Sequence, residues 1–196
     1  MKKWLIPLII IVVLGFIAVS VFGGINNTAV EYEENAKKSW ADVEGAYQRR
    51  SDLIPNLVST VKGAADFEQE TLTAVIEARA KATSVNVNAE NLDEASIEKF
   101  KEAQGGLSSA LSRLLVSVER YPELKATENF KQLQSQLEGT ENRINVERNR
   151  YNEAVKNYNT YIRKFPNNMV VGLFGFEKMT LFSADAGAEN APEVEF

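Results

Sequence analysis

Neither cysteine nor histidine occurs in this 196-residue sequence. Their absence removes thiolate nucleophiles, the imidazole base and nearly all zinc sites, and with them the Glu-x-x-His pairs of di-iron bundles. What remains for chemistry is serine with lysine, the carboxylates and arginine. No nucleophile–base motif appears among them, so a Ser–Lys or carboxylate hydrolase ranks below a non-catalytic role, and no metal or other cofactor is expected. The densest polar cluster is Arg49-Arg50-Ser51-Asp52, followed by Leu53-Ile54-Pro55-Asn56-Leu57-Val58.

The spacing around that cluster places charge inside an apolar stripe. Steps of 3.6 residues from Ala36 land on Trp40, Val43, Tyr47 and then Arg50, so Arg50 falls on the buried seam of a helix. Pro55 has no N–H, which deprives the Ser51 carbonyl of its helical partner and predicts a kink or a helix restart. A buried arginine must find a carboxylate or freed carbonyls. A later helix carries a similar fault: its seam passes through Thr140 and Glu141 before Ile144, and through Glu147 and Arg148 before Tyr151. If residue 30 lies level with residue 165 in an antiparallel pair, Arg50 lies level with about residue 145. The expectation is a buried polar layer in which Arg50 meets Glu141 or Glu147, with Asp52 and Arg148 nearby. Such a layer fixes helix register; the alternative is a ligand or switch site.

The elements that position these residues are helical. Trp4 to Gly24 is uncharged and rich in Ile, Leu, Val and Phe, long enough to span a bilayer, and residues 1–28 read as a transmembrane anchor contacting lipid through residues 4–24. Ala18-Val19-Ser20 resembles a signal-peptidase site, but the apolar run exceeds a signal core. Lys2 and Lys3 before the run and Glu31, Glu33 and Glu34 after it orient the N-terminus to the cytoplasm and the body outside a bacterial inner membrane. Residues 29–182 read as an all-α, antiparallel up-and-down four-helix bundle, with helices at about 29–62, 66–85, 93–121 and 122–164, the first and fourth being long. Gly63 reads as a stop, and Pro122 ends or kinks the third helix.

Smaller features receive structural readings. Glu77, Arg79 and Lys81 alternate with alanines as a solvated face, and Gly105-Gly106 suggests close helix approach. Met169 to Phe182 is too short to span; it reads as a strap folding its aromatics onto the bundle, turned at Pro166 and Gly172, with a patch for a partner or the bilayer as the other reading. Residues 183–196 read as a disordered acidic tail. The charges after residue 30 are 20 basic and 27 acidic, a net −7, which argues against nucleic acid and against electrostatic attraction to anionic lipid.

These motifs carry a resemblance. Ser39-Trp40-Ala41-Asp42, the Arg49–Lys62 block, Glu77-Ala78-Arg79, Leu137-Glu138-Gly139-Thr140-Glu141-Asn142-Arg143-Ile144, Arg148, Tyr151-Asn152-Glu153-Ala154-Val155, Tyr158-Asn159, Phe165-Pro166 and Gly175-Phe176 resemble the LemA family over nearly the whole chain. The serine precedes the tryptophan here, where the family usually has Ala-Trp-Ser, and the tail after Phe182 falls outside the family pattern. The resemblance implies a membrane-anchored antiparallel four-helix bundle in a bacterium, with no established activity. The expected role is an interaction or scaffold module of the envelope with a protein partner; the alternative is a ligand-sensing bundle built on the Arg50 layer.

Overall fold

A computed structural model of the chain describes residues 4–63, 67–87, 89 and 92–182. The acidic tail lies outside the described residues. The order is α1 (Leu5–Lys62), α2 (Gln69–Ser84), α3 (Glu94–Val118), α4 (Pro122–Ala126), α5 (Glu128–Arg163), α6 (Asn167–Val171) and a 3₁₀ turn (Gly172–Phe174). The described residues contain no strand.

The chain is all-helical, with a long apolar helix at its start. α1 is 58 residues long, about 87 Å at 1.5 Å per residue. Its early part has a mean hydropathy of 3.1 and is long and apolar enough to cross a membrane. No residue from Leu5 to Gly24 is buried, and Ile25 is the first that is. The sequence separates an anchor at 1–28 from a helix beginning near Ala29; the structure runs one helix across that point, because Gly23, Gly24, Asn26 and Asn27 do not outweigh the strong formers on both sides. Nor does α1 restart at Pro55.

The helix expected over 122–164 is divided. Thr127 adopts an extended conformation and caps α5, its hydroxyl accepting from the Phe130 N–H at 3.4 Å. Pro122 occupies the first turn of α4, where its missing N–H costs nothing. α3 starts at an Asp93 cap, whose carboxylate accepts from the Ser96 N–H at 2.7 Å; that bond and the Ser96 hydroxyl hold the Asp93 carboxyl below its ordinary range.

α1 lies along α5, and α2 along α3. Tyr161 donates to the Ile25 carbonyl at 3.2 Å, the Trp40 and Tyr151 rings are 5.3 Å apart, and Arg50 reaches Glu141 at 3.0 Å. Numbers therefore fall along α5 as they rise along α1. The apolar seams meet in three clusters: Ile25, Ala29, Tyr158 and Ile162 with α6; Trp40, Tyr47, Phe100 and Tyr151 in the middle; and Ile54, Leu57, Leu107, Leu114 and Phe130 beyond. Trp40 is fully buried between Phe100 and Tyr151, edge-on to both at 5.3 Å, each such pair adding about 0.5–1.5 kcal/mol beyond burial.

Candidate functional site

Arg50 is 3% exposed and joins three helices. One terminal nitrogen, Nη1, donates to Ser108 Oγ at 2.8 Å and to Glu141 Oε2 at 3.0 Å. The other, Nη2, donates to the Gln104 side-chain oxygen at 2.9 Å and to the Gln104 carbonyl at 3.3 Å. The guanidinium carbon sits 5.0 Å from the Tyr47 ring centroid, where the face of the ring favours a cation. Gln104 extends the layer by donating to the Ala82 carbonyl near the end of α2 at 3.4 Å. Arg50 Nε and Ser51 Oγ are buried without a hydrogen-bond partner.

The other residues expected in this layer lie elsewhere. Asp52 is exposed and accepts from Gln48 on its own helix at 2.7 Å; two positions past Arg50, it points away from the seam. Glu147 is 1% exposed, but its partners are Arg143 at 2.6 Å and Arg150 at 3.1 Å, both on α5. Two flexible arginines within a turn reach that carboxylate more readily than Arg50, which sits further along the helix pair. Arg148 lies over the Phe182 ring at 4.3 Å. Gln104 and Ser108 were not anticipated, although 3.6-residue steps from Phe100 pass close to Gln104.

Arg79 corrects the reading of a solvated face. It is half-buried, and its Nε donates to the Ser51 carbonyl at 2.9 Å, the acceptor that Pro55 leaves without a helical donor. A charge-assisted bond to an orphaned carbonyl explains how α1 accommodates an interior proline. Arg79→Met is expected to cost about 1–3 kcal/mol. Pro55→Ala should soften that cost, because an alanine N–H at position 55 restores the helical bond. Denaturant titration of both single variants and the double variant checks this; equal costs for Arg79→Met in the two backgrounds would sever the link. The glycine pair is also corrected: a Cβ added at Gly105 or Gly106 meets nothing within 4 Å, so helix approach does not require them, and nothing in the structure explains them.

The segment after α6 forms a second polar assembly. The chain turns at Gly175, whose φ of 78° favours glycine; Gly172, expected to make the turn, is helical instead. Residues 177–182 then lie along α5. Asn159 Nδ2 donates to the Met179 carbonyl at 2.8 Å, and its Oδ1 accepts the Met179 N–H at 3.0 Å. Asn152 makes the same pair of bonds to Phe182, at 2.9 and 2.7 Å. Alternating with them, Tyr158 donates to the Glu177 carbonyl and Tyr151 to the Thr180 carbonyl, each at 2.8 Å. Burial pushes the Tyr158 phenol up to about 12 and Tyr151 further, so both remain neutral donors.

A cavity of about 210 Å³ opens beside the Arg50 layer, lined by Glu44, Tyr47, Ser51, Asn86, Phe100 and Gln104 among others. Burial pushes the Glu44 carboxyl up. Among the described residues no group of three or more acidic side chains converges as a metal cage would.

The LemA family model matches residues 39–196, which includes the acidic segment that the motif comparison left outside. Magnetosome proteins MamQ 1 and MamQ 2 of Paramagnetospirillum magneticum are each 27% identical over 173 residues, covering 80% of this chain and 64% of the relative. Protein LemA of Metamycoplasma hominis is 23% identical over 164 residues, covering 84% of this chain and 71% of the relative. The chain thus spans a little under two thirds of the MamQ relatives' length. With the family match extending over most of its residues, the chain belongs to the LemA family.

Proposed function

We propose that this chain is a single-pass, membrane-tethered interaction module of the bacterial envelope with no catalytic chemistry of its own. Its N-terminus lies in the cytoplasm, and an antiparallel up-and-down four-helix bundle, with α1 and α5 as its long members, stands outside the inner membrane. The observation that carries this reading is the continuity of α1. The same helix that is apolar and unburied from Leu5 to Gly24 forms the core of the body from Ile25 to Val61. A bundle built onto its own anchor holds a fixed angle to the bilayer, which suits a protein that works by presenting a surface to an envelope partner.

The test uses the absence of cysteine. One cysteine replaces exposed Asn129, at the end of the body remote from the anchor, and intact cells receive a thiol reagent that enters the periplasm but does not cross the inner membrane. Labelling, with the protein retained after carbonate washing, is the expected result. Labelling only after lysis would invert the orientation and move the partner to the cytoplasm. A second reading, recognition of a small anion, is favoured by one observation: Arg50 Nε and Ser51 Oγ are buried without hydrogen-bond partners beside a cavity that Ser51 lines.

A further inference from the structure

We propose that residues 165–174, which run from the end of α5 through α6 and the 3₁₀ turn, form a second membrane contact: an apolar foot that enters the bilayer surface beside the anchor. This rests on the reading that Leu5–Gly24 spans the membrane.

The placement follows from the pairing of α1 with α5. Ile25 is the first buried residue of α1, directly after the uncharged run ends, and Tyr161 binds its carbonyl. α5 is heading toward the anchor at this point. α5 ends at Arg163, two residues or about 3 Å of helix beyond Tyr161, so Phe165, just past that end, comes to the level where the spanning segment leaves the hydrocarbon.

The surface of this segment is unusual for the molecule. Phe165 is 79% exposed, Met169 68%, Leu173 80% and Phe174 54%. Among the other described residues outside the anchor, Val116 alone of the large apolar side chains is exposed to this degree, and the less exposed Val30, Ile76, Val146 and Leu181 are scattered along the chain. Single exposed apolar residues are ordinary, but four within ten positions mark a contact surface. Arg163 and Lys164 are exposed at the rim, and aromatic residues bordered by basic ones suit the headgroup boundary.

The foot is also firmly mounted. Val170 and Val171 pack with Ile25 and Ile162, the Phe176 N–H closes on the Val171 carbonyl at 3.3 Å, and the asparagine ladder fixes the strap beyond. The side chains therefore face outward from an ordered support, which lowers the entropy cost of insertion. Because the body carries a net negative charge, the contact must come from apolar burial rather than anionic lipid. Its occupant is the zwitterionic bilayer interface, entered to a depth of about 5–10 Å as interfacial helices do.

The experiment uses the full chain in phosphatidylcholine vesicles, with single cysteines at Leu173, Phe16 or Asn129 carrying an environment-sensitive fluorophore. Lipids bearing a shallow or deep nitroxide serve as quenchers from the membrane side, and iodide from water. The label at Leu173 is expected to lose most of its emission to the shallow nitroxide and little to iodide, with Phe16 quenched by the deep nitroxide and Asn129 by iodide. Quenching at Phe16 with none from lipid at Leu173 would overturn the foot and leave the anchor standing. No lipid quenching at either position would overturn the anchor reading, and the foot with it. Iodide quenching at Leu173 in vesicles, combined with shielding in native membranes, would overturn lipid as the occupant in favour of a protein.

Discussion

Arg50→Met is expected to destabilise the body by about 2–3 kcal/mol. The size follows from which partners the substitution strands. Methionine can lie against Tyr47 in place of the arginine stem, so the cost is not mainly a cavity. Glu141 is half exposed and recovers water when its partner leaves, which keeps the loss below that of a fully buried pair. The Gln104 side-chain oxygen is different: the residue is 7% exposed and has no solvent to turn to. Glu141→Gln should therefore be milder, under about 1 kcal/mol, since Arg50 retains Ser108 and both Gln104 acceptors. Denaturant titration in detergent, followed by far-ultraviolet circular dichroism, measures both. Unchanged stability and helix content in Arg50→Met would mean the layer does not hold the helices together. The same variant separates the two roles of the layer. Saturable thermal stabilisation by inorganic phosphate that Arg50→Met abolishes would favour anion sensing; none in the native chain would leave the arginine as a register device.

How much of this layer the sequence made legible depended on distance along the chain. Arg50 could be placed on the seam from Trp40 and Tyr47 because periodicity is a local property. Its pairing with Glu141 rather than Glu147 is not decided by the sequence, because the seam of α5 is interrupted by charge at both positions and the local pattern does not fix how far α5 is shifted along α1. The contribution of α3 was harder still, since it requires knowing which face of a third helix turns inward. Pro55 shows the same boundary: the lost bond at Ser51 follows from covalent structure, whereas the identity of its rescuer, Arg79, depends on how α2 folds back. The 3.6-residue seams of α3 (Phe100, Ala103, Leu107, Leu111, Leu114 and Val118) and α5 (Phe130, Leu137, Ile144, Tyr151, Val155, Tyr158 and Ile162) are legible in the sequence and are buried in the structure, because Leu, Phe and Tyr recurring at helical spacing among charged residues leave one buried face. The continuity of α1 was not, because polar and glycine residues at 23–27 look like a boundary until helix on both sides carries through them.

The asparagine ladder is where the sequence held a signal that went unread, and where the largest dynamic effect is expected. Tyr151-Asn152 and Tyr158-Asn159 are the same dipeptide seven residues apart. Seven residues of helix advance about 10.5 Å, and three residues of extended chain advance about 10 Å. A seven-step on α5 therefore matches a three-step on the strap, and the partners fall accordingly at Glu177 and Thr180 for the tyrosines and at Met179 and Phe182 for the asparagines. Each asparagine supplies one donor and one acceptor, as a neighbouring β-strand would. Replacing both with alanine removes four hydrogen bonds at about 0.5–1.5 kcal/mol each. A loss of at least about 2–3 kcal/mol in the local closing energy should raise amide exchange at Met179 and Phe182 by roughly 10²-fold, at about tenfold per 1.4 kcal/mol, while amides of α3 remain unaffected. Asn159→Asp should be at least as damaging as alanine, because it keeps an acceptor for the Met179 N–H but sets an anion against the Met179 carbonyl. Hydrogen exchange read by mass spectrometry or NMR decides the matter. Unaltered protection at both strap amides in the double variant would mean that Phe182, packed against Trp40 at 6.3 Å, holds the strap by apolar contact alone.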